Sequence, residues 1–148
     1  MDSNTIRHLR ESVALLPVDD LAPVDEFYRR LFELAPDARP MFKIEMGQQA
    51  KKFADMLAWV ISHLEQPHDL CHELRELGAR HSGYGVKIDQ YAPVGSALNW
   101  MFQRTLGDRF TPEMEEAWLE FYAFATFEME RGSRESAPTG RSVTLNSD

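Results

Sequence analysis

The chain has 148 residues, of which 43% are hydrophobic and 27% are charged, which is the balance of one soluble globular domain. The net charge of -8 argues against nucleic acid or an anionic membrane as the main partner. No apolar run approaches the roughly 18 residues of a membrane helix, and the N-terminus lacks the apolar core of a signal peptide. A single cysteine, Cys71, excludes an intramolecular disulfide and fits a reducing compartment, so we expect a cytoplasmic protein.

Apolar residues recur at helical spacing along most of the chain, and no segment alternates as a half-buried strand would. Prolines and Gly107 separate the periodic segments, and Thr111-Pro112 is a typical helix start. Six or seven helices in about 130 residues predict an all-α domain rather than a four-helix up-and-down bundle. The predicted helices cover residues 4–16, 23–34, 47–65, 69–81 and 89–106, and a last one begins at Thr111.

The composition changes at Gly132. The segment GSRESAPTGRSVTLNSD is rich in Ser, Thr and Gly and has few apolar residues. Such a composition cannot bury enough apolar surface to offset the entropy of ordering. The sequence therefore predicts a domain over 1–131 and a disordered polar tail over 132–148.

The histidine at position 81 ends an apolar stripe. Leu70, Leu74, Leu77 and His81 follow one another at intervals of four, three and four residues, which places them on one face of a helix. An imidazole on that face must be buried and hydrogen-bonded as a structural group, or bonded to something such as a metal.

A second group of side chains indicates what the His81 imidazole could bind. Gln49 begins the apolar stripe that continues with Phe53, Tyr28 lies on the apolar side of its helix, and Phe42 follows a proline-bracketed corner. An imidazole together with amide and phenol donors and aromatic rings suits a haem iron that binds a diatomic molecule. Two alternatives remain open. One is that Gln49 faces solvent and that Gln48 or Lys52 takes part in its place. The other is that Tyr28 only packs in the core and does not contact a ligand.

Four segments carry a resemblance to a known family. FYRRLFELAPDARPMF, LGARHSGYGVK, QYAPVG and LGDRFTPEMEEAW resemble the bacterial single-domain globins of the flavohaemoglobin-type, three-over-three group. The resemblance covers about residues 5–130. It implies a globin fold of about seven helices around a pocket for haem b.

The resemblance also implies a role for each candidate. His81 matches the proximal ligand of the iron, and Phe42 matches the corner phenylalanine that packs on the porphyrin. Gln49 and Tyr28 match the distal residues that hydrogen-bond the bound ligand. The other implied haem contacts are Phe53, Leu77, Val86, Tyr91 and Leu98. At the position of Phe53 the family more often has leucine, so the phenylalanine ring would narrow the pocket. Arg80 and Lys52 either pair with the haem propionates or are solvated.

One position departs from the family pattern. Tyr91 matches the tyrosine that, with a glutamate from the last helix, tunes the proximal histidine in flavohaemoglobins. Counting from Trp118, the glutamate position falls on Ser133, beyond the predicted end of the helix. We therefore expect less imidazolate character at His81 and weaker activation of oxygen.

The resemblance implies reversible binding of oxygen, and of NO and CO, at a single haem b, with oxygen transport as one use. A first alternative is an enzyme, a nitric oxide dioxygenase that works with a separate reductase, because flavohaemoglobins carry a reductase domain that would begin where this chain ends. A second alternative is a gas or redox sensor that signals through a partner or through the polar tail. We expect a monomer or a homodimer.

Overall fold

The computed structural model describes residues 1–135, and it contains no strand within them. The predicted all-α class is therefore confirmed for this part of the chain. Three short 3₁₀ segments join the helices, Pro36–Met41, Ile88–Gln90 and Gly107–Arg109. The six α-helices are α1 (Ser3–Ala14), α2 (Ala22–Leu34), α3 (Met46–Ser62), α4 (Pro67–Gly83), α5 (Tyr91–Leu106) and α6 (Pro112–Glu135). None of the helices in this part is long and apolar enough to cross a membrane.

Local sequence signals explain where the helices begin. The Asp2 side chain accepts a hydrogen bond from the Thr5 amide at the start of α1. The Glu45 carboxylate accepts from the Gly47 amide at 2.8 Å before α3. Both are side-chain caps that satisfy amides with no partner inside the helix. Prolines occupy the first turns of α2 and α4, where their missing N–H costs nothing.

The end of α6 differs from the sequence prediction. Residues 132–135 are helical, so α6 continues past residue 131, where the predicted tail begins; the rest of that tail, residues 136–148, lies outside the described residues. Gly132 is buried, and a Cβ placed on it would lie 1.9 Å from the Arg75 carbonyl oxygen of α4. Gly132 therefore serves the close approach of two helices rather than the start of a tail.

The contact between α4 and α6 is one of backbone against backbone. A Cβ on Gly78 of α4 would lie 2.0 Å from the carbonyl oxygen of Met129 in α6, so both helices contribute a glycine. Beside this contact the Arg75 Nε donates to the Glu128 Oε1 at 2.7 Å. The Glu128 side chain is only 7% exposed, and a buried carboxylate requires such a partner.

The remaining helices pack around a single core. α2 packs against α5, and α1 packs against α6. The Trp118 Nε1 of α6 donates to the Ser12 Oγ of α1 at 2.7 Å, and this hydroxyl donates in turn to the Leu9 carbonyl oxygen at 2.8 Å. The indole of Trp118 also packs against Phe102 of α5. These contacts hold α6, and through it α4, in a fixed position relative to the core.

The glycine contact yields a stability prediction. Gly132→Ala inserts a methyl group where the Arg75 carbonyl oxygen lies, so α4 and α6 must separate. We expect the free energy of unfolding to fall by about 1–3 kcal/mol, the usual cost of overpacking, as measured by urea denaturation. Gly83→Ala is the matched control, because Gly83 is an exposed residue at the end of α4. Equal stability of the two variants would contradict the close backbone contact.

Candidate functional site

Three elements bring the predicted distal residues together. The Gln49 Nε2 of α3 donates to the phenol oxygen of Tyr28 of α2 at 3.0 Å. The Tyr28 ring forms T-shaped contacts with two phenylalanine rings, with centroid distances of 5.4 Å to Phe42 and 5.9 Å to Phe53. Phe42 follows the Pro36–Met41 segment. Because the phenol oxygen accepts from the amide, the phenol proton stays available for another acceptor. Gln49 and Tyr28 thus form a chain of donors.

Phe27 belongs to this cluster and was missed by the sequence analysis. Its ring stacks on Phe53 with centroids 4.5 Å apart, and it meets Tyr28 edge-on at 4.9 Å. Phe27 is 1% exposed. Phe27 lies within the predicted helix 23–34, but only the packing of α2 against α3 shows that its ring stacks on Phe53.

Burial keeps the Tyr28 phenol protonated. Loss of solvent raises its pKa to about 12, although the hydrogen bond from Gln49 lowers it in part. The neutral phenol is the form that can donate a hydrogen bond. At neutral pH Tyr28 is therefore a permanent donor.

The predicted proximal residues form a second group around the end of α4. The His81 Nδ1 lies 2.9 Å from the Leu77 carbonyl oxygen. A carbonyl only accepts, so the proton is on Nδ1 and the lone pair is on Nε2. Burial lowers the pKa of the His81 imidazole, which favours the neutral form. The Val86 amide donates to the His81 carbonyl oxygen at 2.9 Å and holds the following loop against the helix end.

This tautomer is the one that a metal ligand needs. Histidine ligands commonly donate their other N–H to a carbonyl or carboxylate, which fixes the ring and raises its basicity. A porphyrin would itself supply most of the ligands of the iron, so one imidazole from the protein would suffice to hold it. The donors present in this chain, one neutral imidazole together with a phenol and an amide, fit a haem.

The structure corrects the prediction for the last helix. Tyr91 contacts His81 edge-on, with ring centroids 6.5 Å apart, and it lines a cleft of about 490 Å³ between α5 and α6 together with Glu130. The pKa of the Tyr91 phenol is raised by burial and by the Glu130 charge. The expectation that α6 lacks a carboxylate near Tyr91 is therefore wrong. Tyr122, Thr126 and Glu130 follow one another at intervals of four residues, so they share one face of α6.

The cleft includes another predicted residue and a further contact. Leu98 lines it beside Tyr91. The Tyr122 hydroxyl donates to the Tyr91 carbonyl oxygen, and a Cβ on Gly95 would lie 2.7 Å from the Tyr122 ring. The start of α5 is thus fixed against α6. The Glu130 carboxylate also forms an ion pair with the exposed Arg134 at 3.2 Å.

The two candidates for the propionates lie at the surface. Arg80 and Lys52 are both exposed, and the Arg80 guanidinium contacts Glu73 at 3.3 Å.

Cys71 is half-buried, and its burial, together with the nearby Glu128 charge, raises the pKa of its thiol. A thiol with a raised pKa is a poor nucleophile.

Comparison with known proteins identifies the fold. The globin family model matches residues 25–129. Neuroglobin from Tetraodon nigroviridis is 31% identical over an alignment of 119 residues, and the match covers 71% of this chain and 75% of that protein. A flavohemoprotein from Rhizobium meliloti is 27% identical over an alignment of 117 residues, and the match covers 77% of this chain but only 29% of that protein.

Solved structures agree with the family match. An engineered carbene transferase made from a putative nitric oxide dioxygenase of Rhodothermus marinus has a TM-score of 0.80 and 25% identity, and the alignment covers 91% of this chain and 94% of that one. A bacterial globin from Campylobacter jejuni has a TM-score of 0.76 and 22% identity, with 90% and 97% covered. The predicted globin fold is confirmed.

The raised pKa of Tyr28 predicts a change of stability at alkaline pH. The unfolded phenol loses its proton near pH 10, whereas the folded one keeps it to about pH 12. Between these two pH values the folded state binds more protons than the unfolded state. The free energy of unfolding therefore falls as the pH rises, by about 1.4 kcal/mol per pH unit at most. Urea denaturation of Tyr28→Phe should show a weaker decrease than the wild type. Exposed Tyr84 gives the control, because Tyr84→Phe should follow the wild type.

Proposed function

Because the chain belongs to the globin family, we propose that it binds haem b and that His81 would hold the iron. The observation that carries this proposal is the neutral imidazole of His81, whose Nδ1 is engaged by the Leu77 carbonyl oxygen at 2.9 Å and whose Nε2 keeps a free lone pair. The other residues proposed to contact the haem are Phe42, Phe53, Leu77, Val86, Tyr91 and Leu98.

We further propose that the protein reversibly binds oxygen, and also NO and CO. The haem iron, when bound, supplies the coordination site for such a ligand. Tyr28 would donate a hydrogen bond to this ligand, and Gln49 orients the phenol through the hydrogen bond to its oxygen. A preorganised phenol donor would stabilise a ligand that carries partial negative charge, such as oxygen, more than it would stabilise CO. The expected result is a high affinity for oxygen and slow release.

Spectroscopy of the purified protein tests the haem assignment. The ferric, ferrous and CO-treated samples should each show an intense Soret band with one haem per chain. His81→Gly should lose this spectrum, and added imidazole should restore it because the free ligand replaces the missing ring. A colourless protein that stays colourless with added hemin would refute the proposal, and an unchanged His81→Gly spectrum would refute the ligand.

The donor chain predicts the rate of oxygen release. Tyr28→Phe removes the donating hydroxyl, so we expect oxygen to dissociate about tenfold faster, since one hydrogen bond contributes about 1–2 kcal/mol. Gln49→Leu should have a smaller effect because the phenol proton remains. Stopped-flow displacement of oxygen by CO measures both rates, with Tyr84→Phe as control. If Tyr28→Phe releases oxygen at the wild-type rate, Tyr28 has no role in ligand binding.

A second candidate function is dioxygenation of nitric oxide. It is favoured by Glu130, which places a carboxylate beside Tyr91, and by the similarity to a protein described as a putative nitric oxide dioxygenase. The reaction combines one NO with one O₂ and one electron to give nitrate. It therefore needs a reductase as electron donor, supplied by a separate protein in this proposal.

Turnover distinguishes the two functions. With excess oxygen and an excess of a reducing flavoprotein, a dioxygenase consumes many equivalents of NO per haem, as read from an NO electrode. A protein that only binds oxygen consumes about one equivalent and stops. Glu130→Gln should lower the turnover rate if the carboxylate contributes through Tyr91, whereas Glu135→Gln, at the end of the same helix, should not.

A further inference from the structure

The cleft between α5 and α6 extends beyond the proposed haem contacts. Its volume of about 490 Å³ lies in the range of small-molecule sites in proteins. Of the residues proposed to contact the haem, only Tyr91 and Leu98 line it, and His81 does not. Ser96 and Leu119 also line it, and both are exposed. The cleft therefore opens to solvent and is separate from the proposed haem pocket.

Much of the cleft wall is apolar or aromatic. Leu98, Trp118 and Tyr122 line it together with Leu119. Leu119 is 63% exposed although its side chain is apolar. A ligand that covers such a side chain removes apolar surface from water, which favours binding.

Three polar side chains of the cleft already have partners within the protein. The Tyr122 hydroxyl donates to the Tyr91 carbonyl oxygen, and the Thr126 Oγ1 donates to the Tyr122 carbonyl oxygen at 3.0 Å. The Asn99 Nδ2 donates to the Glu115 Oε2 at 3.1 Å. These donors are therefore used, and a ligand must find its polar contacts elsewhere in the cleft.

Two polar groups of the cleft remain available. Tyr91 is 7% exposed, and within residues 1–135 its hydroxyl has no hydrogen-bond partner. The Glu130 Oε2 contacts Arg134 at 3.2 Å, but the Arg134 side chain is 65% exposed, and such a surface ion pair contributes little. The Glu130 charge raises the pKa of the Tyr91 phenol, so the two groups lie near each other. A buried phenol without a partner and a carboxylate thus share one part of the cleft.

We propose that this cleft binds a small molecule that carries an ammonium group on an apolar body. The ammonium donates to the Glu130 carboxylate and to the phenol oxygen of Tyr91, which gives the buried phenol the partner that it lacks. The aromatic rings that line the cleft attract the same cation. The apolar body covers Leu98 and Leu119. A neutral analogue lacks the charge that Glu130 recognises, and an anion is repelled by it.

Three probes with the same phenylethyl body test the charge that the cleft selects. They are 2-phenylethylamine, the neutral 2-phenylethanol and the anionic 3-phenylpropionate. Calorimetric titration uses the protein after reduction and treatment with CO, so that the amine cannot bind a haem iron. We expect the amine to bind about tenfold more tightly than the alcohol, because hydrogen bonds between charged groups are stronger than neutral ones. Equal affinities, or no heat from the amine at millimolar concentration, would overturn the proposal.

A charge-neutralising variant tests the role of Glu130. Glu130→Gln should weaken binding of the amine about tenfold and leave the affinity for the alcohol unchanged. Glu135→Gln is the matched control, since it removes an exposed carboxylate at the end of the same helix that does not line the cleft. An equal loss in both variants would mean that only the net charge acts, and it would refute recognition by Glu130.

A bulky side chain tests the location. Ser96→Trp places an indole in the cleft from an exposed position of α5 and leaves Glu130 in place, so it should abolish binding of the amine. Ala58→Trp, at an exposed position of α3, should bind the amine like the wild type. If Ser96→Trp binds the amine with unchanged affinity, the ligand lies elsewhere and the proposal is wrong.

The proposed cleft ligand does not depend on the proposed haem function. Calorimetry measures the heat of amine binding and not the binding of oxygen. A missing Soret band would refute the haem assignment while the amine still binds. Conversely, a normal Soret band with no amine binding would refute this inference alone.

Discussion

The close approach of α4 and α6 is the constraint on which the proposed site depends. Gly78 and Gly132 let the two backbones meet at distances that no side chain would permit, and the Arg75–Glu128 ion pair lies beside them. His81 follows Gly78 by less than one turn of α4. The position of its imidazole is therefore fixed by α6, which is itself tied to α1 through Trp118 and Ser12.

A single physical cause prepares both halves of the site for their proposed roles. Burial disfavours charge, so it lowers the pKa of the His81 imidazole and raises that of the Tyr28 phenol. The neutral imidazole keeps a lone pair, and the neutral phenol keeps a proton. Hydrogen bonds with neighbouring residues then orient these two side chains. The Leu77 carbonyl oxygen accepts from the His81 Nδ1 and fixes the imidazole tautomer, and the Gln49 amide donates to the phenol oxygen of Tyr28.

The cleft between α5 and α6 connects the proximal group to the surface. Tyr91 contacts His81 on one side and shares the cleft with Glu130 on the other.

The sequence by itself determined the helices, their caps and the stripe that ends at His81, because periodicity, prolines and capping side chains act within one or two turns. The family motifs also brought Tyr28, Phe42, Gln49 and Phe53 to attention as one group. Only the tertiary structure decided that Gly132 continues α6, that Glu130 is the carboxylate beside Tyr91, and that Phe27 stacks on Phe53. Each of these depends on how two helices cross, and contacts between helices far apart in the chain leave no mark in local spacing.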